Sequence, residues 1–180
     1  MSTAASDKTV ILDRDGTIVI DRGYLDDPAG LEFAPGAAQG LIWLYSHGYR
    51  LVVVTNQSGV ARGLFTLERV AEMNARLNAM VERIGARLDG IYVCPHAPDA
   101  GCSCRKPALG LLTRAAADLG FDPAAAVVIG DKESDIELGR RAGSTTILIA
   151  ADAAAHTGVK ADIVAPDLLE AARAVTALCS

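Results

Sequence analysis

Short runs of β-branched and aliphatic residues recur along this chain, and most are followed by a segment with helical spacing. The runs cover residues 9–13, 51–54, 90–93, 126–129 and 145–149. Unbroken apolar runs of this length suit strands buried on both faces, which occur mainly in parallel sheets. Segments 35–46, 66–88, 108–119, 134–142 and 166–178 read instead as amphipathic helices. Thr66 is a natural N-cap with Glu68 and Glu72 near the positive helix end, and His47-Gly48 closes the first helix. This alternation predicts an α/β, three-layer, Rossmann-like fold, a central parallel sheet with helices on both faces. A length of 180 residues suits one domain over 1–180, and no internal repeat is visible. Residues 150–160 carry no clear signal.

In such sheets, ligands sit beyond the carboxyl ends of the strands. The polar residues that stand out fall there: Asp13 and Asp15 after the first run, Thr55 and Asn56 after the second, Asp131 after the fourth. Two carboxylates two residues apart repel unless a cation lies between them or one is protonated. Gly16 permits a sharp turn that brings backbone close to a ligand. Asp131 is placed to complete a magnesium site with Asp13 and the backbone carbonyl of Asp15. That leaves positions for water and a phosphate oxygen, a donor count that suits Mg2+. Asp135, one turn later, is expected to orient that shell rather than ligate. A solvated turn and helix-capping acids are the plain alternatives.

Residues 94–104 hold Cys94, His96, Cys102 and Cys104 in one Pro- and Gly-rich loop. Three thiolates and one imidazole make a closed tetrahedral shell for a structural zinc; reduced cysteines in a turn are the alternative. Cys179 stands alone near the end, so the pattern is metal-ligand usage rather than a disulfide framework. Arg105 and Lys106 follow the loop directly, so a rigid metal-bound loop would hold both cations over a phosphate.

Net charge is −5 with no basic block, which excludes the cationic footprint of a nucleic-acid binder. An anionic substrate would need a local cluster of cations. The apolar runs are too short to span a bilayer, and residues 1–8 lack a signal-like apolar stretch. The expectation is a cytoplasmic protein without membrane partners.

Asp13-Arg14-Asp15-Gly16-Thr17, Thr55, Lys106 and Gly130-Asp131 with Asp135 resemble, in order, the four motifs of the haloacid dehalogenase superfamily of phosphohydrolases. The resemblance implies that Asp13 is a nucleophile forming a phospho-aspartate and Asp15 a general acid/base. Thr55 and Lys106 would bind the transferring phosphoryl group. A carboxylate attacks a dianionic phosphate only where positive charge offsets the repulsion, and Mg2+ and Lys106 can supply it.

Within the superfamily the chain most closely resembles the D-glycero-D-manno-heptose 1,7-bisphosphate 7-phosphatases, which serve lipopolysaccharide and related glycans, with histidinol-phosphate phosphatases as neighbours. Asp21-Arg22-Gly23-Tyr24, Thr55-Asn56-Gln57-Ser58, Cys94-Pro95-His96, Cys102-Ser103-Cys104-Arg105-Lys106-Pro107 and Gly130-Asp131-Lys132 carry that likeness. It implies substrate contacts from Asp21, Arg22, Gly23, Tyr24, Thr55, Asn56, Gln57, Ser58, Arg105, Lys106 and Lys132, with Arg105 reading the distal phosphate. Val19 and Ser134 depart from the usual pattern. Neither the gap after the first strand nor that after the second has room for a lid domain, so a capless site open to solvent is expected; a monomer acting on a small phosphorylated sugar is the expectation for partners.

Overall fold

The computed structural model describes residues 8–152 and 158–178, so His156, Cys179 and most of segment 1–8 lie outside the described residues. Its strands are β1 (Thr9–Leu12), β2 (Arg50–Asn56), β3 (Gly90–Cys94), β4 (Val127–Gly130), β5 (Thr145–Ile149) and β6 (Ile163–Ala165). The helices are α1 (Ala37–Ser46), α2 (Leu67–Arg83), α3 (Gly110–Leu119), α4 (Glu133–Ala142) and α5 (Leu168–Leu178). The strands form one sheet in the order β3-β2-β1-β4-β5-β6, and every pairing is parallel.

Alternating residues of each strand face opposite layers, as the two-residue period of a strand requires. Val10, Leu12, Leu51, Val53, Val127, Ile129 and Ile147 pack with Leu41 and Leu44 of α1, Met73 and Leu77 of α2, and Ala171 and Val175 of α5. Ile11, Val52, Val54 and Val128 point the other way, onto Leu111, Leu112 and Ala115 of α3 and Leu138 of α4. Each fully buried aliphatic side chain contributes about 1.5–3 kcal/mol, so both helical layers are held by the strands' two-sided apolar pattern. No cap domain is inserted: α1 and a 3-10 turn at Pro28–Gly30 occupy the β1–β2 connection, and α2 the β2–β3 connection. Among the described residues, no helix is long and apolar enough to cross a membrane.

Two departures from the sequence reading have local causes. The helix expected to reach residue 88 stops at Arg83, because Gly85 turns left-handed at φ 82°. Gly85 and Ala86 N–H then donate to the Glu82 and Val81 carbonyls, closing the helix end. The sixth strand, β6, was not expected: it is three residues long, lies at the sheet edge and leaves Val164 exposed, too little to register as a buried run.

Candidate active site

β1 and β4 are neighbours, and the chain leaves β1 toward β2 but β4 toward β5, on the other side of the sheet. Such a switch point opens a crevice at the carboxyl ends of the two strands. Asp13 follows β1, its N–H donating to the Ile129 carbonyl at 3.1 Å, and Asp131 follows β4. Gly16 (φ 92°) has no room for a side chain, since a Cβ there would lie 2.2 Å from Asp131 Oδ2. Gly130 does the same for Asp135, whose Oδ2 a Cβ would meet at 2.2 Å. The glycines let the carboxylates pack directly on backbone.

Asp13, Asp131 and Asp135 each offer an oxygen within 4.8 Å of the others. Lys106 reaches this group from below, its side chain only 3% exposed. Its Nζ lies 2.7 Å from both Asp13 Oδ1 and Asp135 Oδ1, and donates to the Val54 carbonyl at 2.6 Å. Burial alone would weaken the lysine's hold on its proton, but Asp13 and Asp135 outweigh it and raise its pKa. The charges remain unbalanced. Burial, with Asp13 and Asp135 nearby, pushes Asp131 up to about 7 against the opposing pull of Lys132 and of its own backbone N–H. Burial and then Asp13 push Asp135 up to about 6 despite Lys106. Asp135 Oδ1, though near the ammonium, has no aligned hydrogen-bond donor. Three clustered carboxylates with one buried oxygen left short of a donor fit a hard divalent cation.

Asp15 points away from this cluster. Its Oδ2 accepts from Arg14 Nε at 3.0 Å and Gln57 Nε2 at 2.8 Å, and its Oδ1 accepts from Arg14 Nη2 at 3.3 Å. The Asp15 carbonyl, expected to ligate a metal, lies 3.4 Å from Lys132 Nζ.

Asp15 lines a cleft of about 330 Å³ together with Asp21, Gly23, Tyr24, Asn56, Gln57, Ser58, Gly59, Arg105, Lys132 and Ser134. Most of the expected substrate contacts are therefore gathered in one place. Lys132 Nζ crosses to Asp21 Oδ2 at 3.0 Å, and Asp21 Oδ1 accepts the Gly23 N–H. Partial burial would raise the Asp21 pKa, but those two donors lower it. Arg105 donates to the His96 carbonyl at 3.3 Å. Three expected contacts do not line the cleft: Arg22 turns out to Glu32, Thr55 lies beneath it, and Lys106 sits at the acidic centre. The Thr55 hydroxyl accepts from Gln57 Nε2 at 2.8 Å. The Asn56 amide clasps the Lys106 backbone from both sides, accepting its N–H at 3.0 Å and donating to its carbonyl at 3.2 Å. Val19 is wholly buried core.

Cys94, His96, Cys102 and Cys104 converge beyond β3, all three cysteines free of disulfides. Their ligand atoms approach one another at separations from 3.1 Å (His96 Nδ1 to Cys104 Sγ) to 3.7 Å (Cys94 Sγ to Cys102 Sγ). A tetrahedral shell with metal–sulfur bonds of about 2.3 Å has edges of roughly 3.8 Å, so four ligands already sit near the corners of one. Burial pushes the Cys94 thiol up to about 12. Burial also works against ionisation at Cys102, but hydrogen bonds from Cys104, the Arg105 backbone and Cys94 bring it down to about 7. The loop is anchored to β2, with Gln57 N–H donating to the Cys94 carbonyl at 2.7 Å.

Three residues here escaped the sequence reading. Thr17 places its hydroxyl 3.4 Å from Asp131 Oδ1. Arg14 grips Asp15, and Asn74 of α2 in turn accepts from Arg14 Nη1 at 3.0 Å. Arg14 and Thr17 stand inside the acidic motif and were findable; Asn74, in mid-helix, gave no signal.

The model of the HAD-hydrolase-like family matches residues 103–171. The chain is 39% identical over 173 residues to the D-glycero-β-D-manno-heptose-1,7-bisphosphate 7-phosphatase of Haemophilus ducreyi, covering 91% of this chain and 95% of that one. It is 41% identical over 138 residues to the enzyme of the same name from Helicobacter pylori, covering 76% and 79%. Among solved structures it resembles the D,D-heptose 1,7-bisphosphate phosphatase of B. bronchiseptica in complex with magnesium and phosphate. That likeness has a TM-score of 0.86 and 30% identity, over 95% of this chain and 99% of the other.

Proposed function

We propose that this chain, which belongs to the haloacid dehalogenase-like hydrolases and within them to the heptose 1,7-bisphosphate 7-phosphatases, removes the 7-phosphate of D-glycero-β-D-manno-heptose 1,7-bisphosphate. The observation that carries the chemistry is the Asp13 carboxylate, held at Oδ1 by a buried ammonium and lying two residues before Asp15, which lines the cleft. The β anomer is favoured by the names of the relatives.

The free oxygen of Asp13 attacks phosphorus and the bond to the sugar oxygen breaks. Asp15, as the acid, gives that oxygen its proton. Water then attacks the phospho-aspartate, yielding a proton to the Asp15 carboxylate. The phosphorus–Asp13 bond breaks, releasing inorganic phosphate. Lys106 neutralises charge on the transferring group. Gln57 occupies a lone pair of the Thr55 hydroxyl, which leaves its proton free for a phosphoryl oxygen. Arg105 and Lys132, on the cleft wall, take the distal phosphate and neighbouring sugar oxygens. Asp13, Asp131 and the Asp15 carbonyl would hold Mg2+, which when bound screens the repulsion between carboxylate and phosphate. Cys94, His96, Cys102 and Cys104 would hold a structural zinc, with no open position for substrate. We further propose a monomeric cytoplasmic enzyme, since one chain supplies every group named and the three thiols among the described residues form no disulfide; light scattering on the purified protein checks the first point.

The deciding measurement is phosphate release with added magnesium from both heptose bisphosphate anomers, histidinol phosphate and a phosphorylated oligonucleotide. The β bisphosphate should exceed every other substrate in kcat/KM by at least about tenfold. Histidinol phosphate turned over as fast or faster would transfer the assignment to that neighbouring branch.

A further inference from the structure

Among the described residues, four charged side chains are buried: Asp13, Arg14, Lys106 and Asp135. Three of them form the acidic centre, and the chemistry proposed above makes no use of the fourth. A charge is not carried into a protein interior without a partner that holds it there. For Arg14 the partners are specific. Nε and Nη2 fork onto the two oxygens of Asp15, at 3.0 and 3.3 Å, and Nη1 donates to Asn74 Oδ1 at 3.0 Å. Asn74 is carried by α2, whose Met73 and Leu77 are locked in the core. Rigid helix, amide, guanidinium and carboxylate thus form one continuous chain of contacts ending on Asp15.

We infer that Arg14 is a positioning residue for the Asp15 acid/base, tethered through Asn74 to α2, and this rests on the role proposed for Asp15. Asp15 has to meet two different oxygens in turn, the departing sugar oxygen and then the incoming water. A free carboxylate would rotate about its side-chain bonds between those encounters. A planar fork on both of its oxygens fixes the plane of the group, and Gln57 on Oδ2 fixes it from a second direction. A misplacement of about 1 Å in such a group costs on the order of 100-fold in rate. Lysine carries the same charge but cannot make the fork.

The test uses Arg14→Gln, Arg14→Lys and Asn74→Ala beside the wild type and Asp15→Asn, each checked for a cooperative thermal melt. Arg14→Gln should lower kcat on a sugar phosphate about 100-fold with KM within about threefold. Arg14→Lys should recover only part of that loss, and Asn74→Ala should lose a few-fold in the same direction. An aryl phosphate, whose leaving group needs no proton, supplies the readout that a merely structural role would not move. With it, phosphorylation of Asp13 in Arg14→Gln should run near the wild-type rate while dephosphorylation slows, so that phosphoenzyme accumulates. Equal losses for aryl and alkyl substrates in the first step, or unchanged kcat in folded Arg14 variants, would overturn the inference. If Arg14→Gln does not melt cooperatively, Arg14→Lys and Asn74→Ala decide by the same criteria. An Asp15→Asn variant with full turnover overturns the acid/base role and this inference with it. An inactive Asp15→Asn beside normal Arg14 variants overturns the inference alone.

Discussion

The acidic centre draws Asp13, Lys106, Asp131 and Asp135 from points far apart in the chain, whereas the thiol–imidazole cluster draws all four of its groups from residues 94–104. The first exists only because two adjacent parallel strands end at the same level and a lysine is threaded beneath them. The second needs a loop to fold back on itself around one point. They also differ in charge. The acidic centre keeps an excess of carboxylates over its one lysine; the thiol cluster has ligands at four corners and nothing left over. A centre built by the whole fold can be aimed at a substrate, and one built by a single loop can brace its neighbours.

Asp13→Asn strikes the first centre most directly. Turnover should fall by about 10⁴-fold or more, while metal analysis of the thiol loop stays unchanged. Residual activity near wild type would remove Asp13 from the chemistry. Lys106→Met should come next. It leaves two buried carboxylates without their cation, at a cost of about 3–5 kcal/mol in a denaturant titration, besides most of the activity. A variant as stable as wild type would mean that the ammonium is not the group balancing this centre.

Cys102→Ser, or removal of zinc by a strong chelator, attacks the other region. The expected outcome is a drop in kcat/KM of about tenfold to 100-fold, as Arg105 and Lys106 lose a rigid neighbour. Magnesium affinity, read by calorimetry, should change little, and a large change would show that the two centres are not separable. Acidity separates them further. Asp131 and Asp135 hold protons up to about 7 and about 6, against an ordinary 3.8. In the folded, magnesium-free protein these two groups therefore bind more protons than in the unfolded chain between roughly pH 4 and 7, and their contribution to stability is lost as pH rises through that window. Melts at pH 5 to 8 should show this slope, flattened by Asp131→Asn and by added magnesium; a slope of the opposite sign would refute it. The smallest effect is expected from Arg105→Ala: KM for a bisphosphate should rise about tenfold, with simple monophosphates unaffected. An equal rise for both would detach Arg105 from the distal phosphate.

The five longer strands and the groups of both metal-like clusters were legible because their signals are local or tied to strand ends. A buried apolar run followed at once by an acid fixes where Asp13 and Asp131 must sit once the sheet is parallel. The four thiol-loop groups announce themselves by chemistry alone. What stayed hidden depends on which way a side chain turns after the backbone is set. Asn56 looked like a substrate contact, and it lines the cleft, but its amide is spent on the Lys106 backbone. Arg22 sat in the right loop yet faces Glu32. Asn74 is one polar residue on a long amphipathic helix, and no pattern says that it meets Arg14. β6 was missed because three residues at an edge bury too little to leave a trace.

The contact between Lys132 and Asp21 has a consequence for how the cleft meets its ligand. Lys132 is already paired with Asp21 when no substrate is there, so of the two cations on the cleft only Arg105 stands without a carboxylate partner among the described residues. An arriving phosphate must take the lysine from a carboxylate that holds it. At that one contact, binding is an exchange of one anion for another rather than the filling of an empty cationic site.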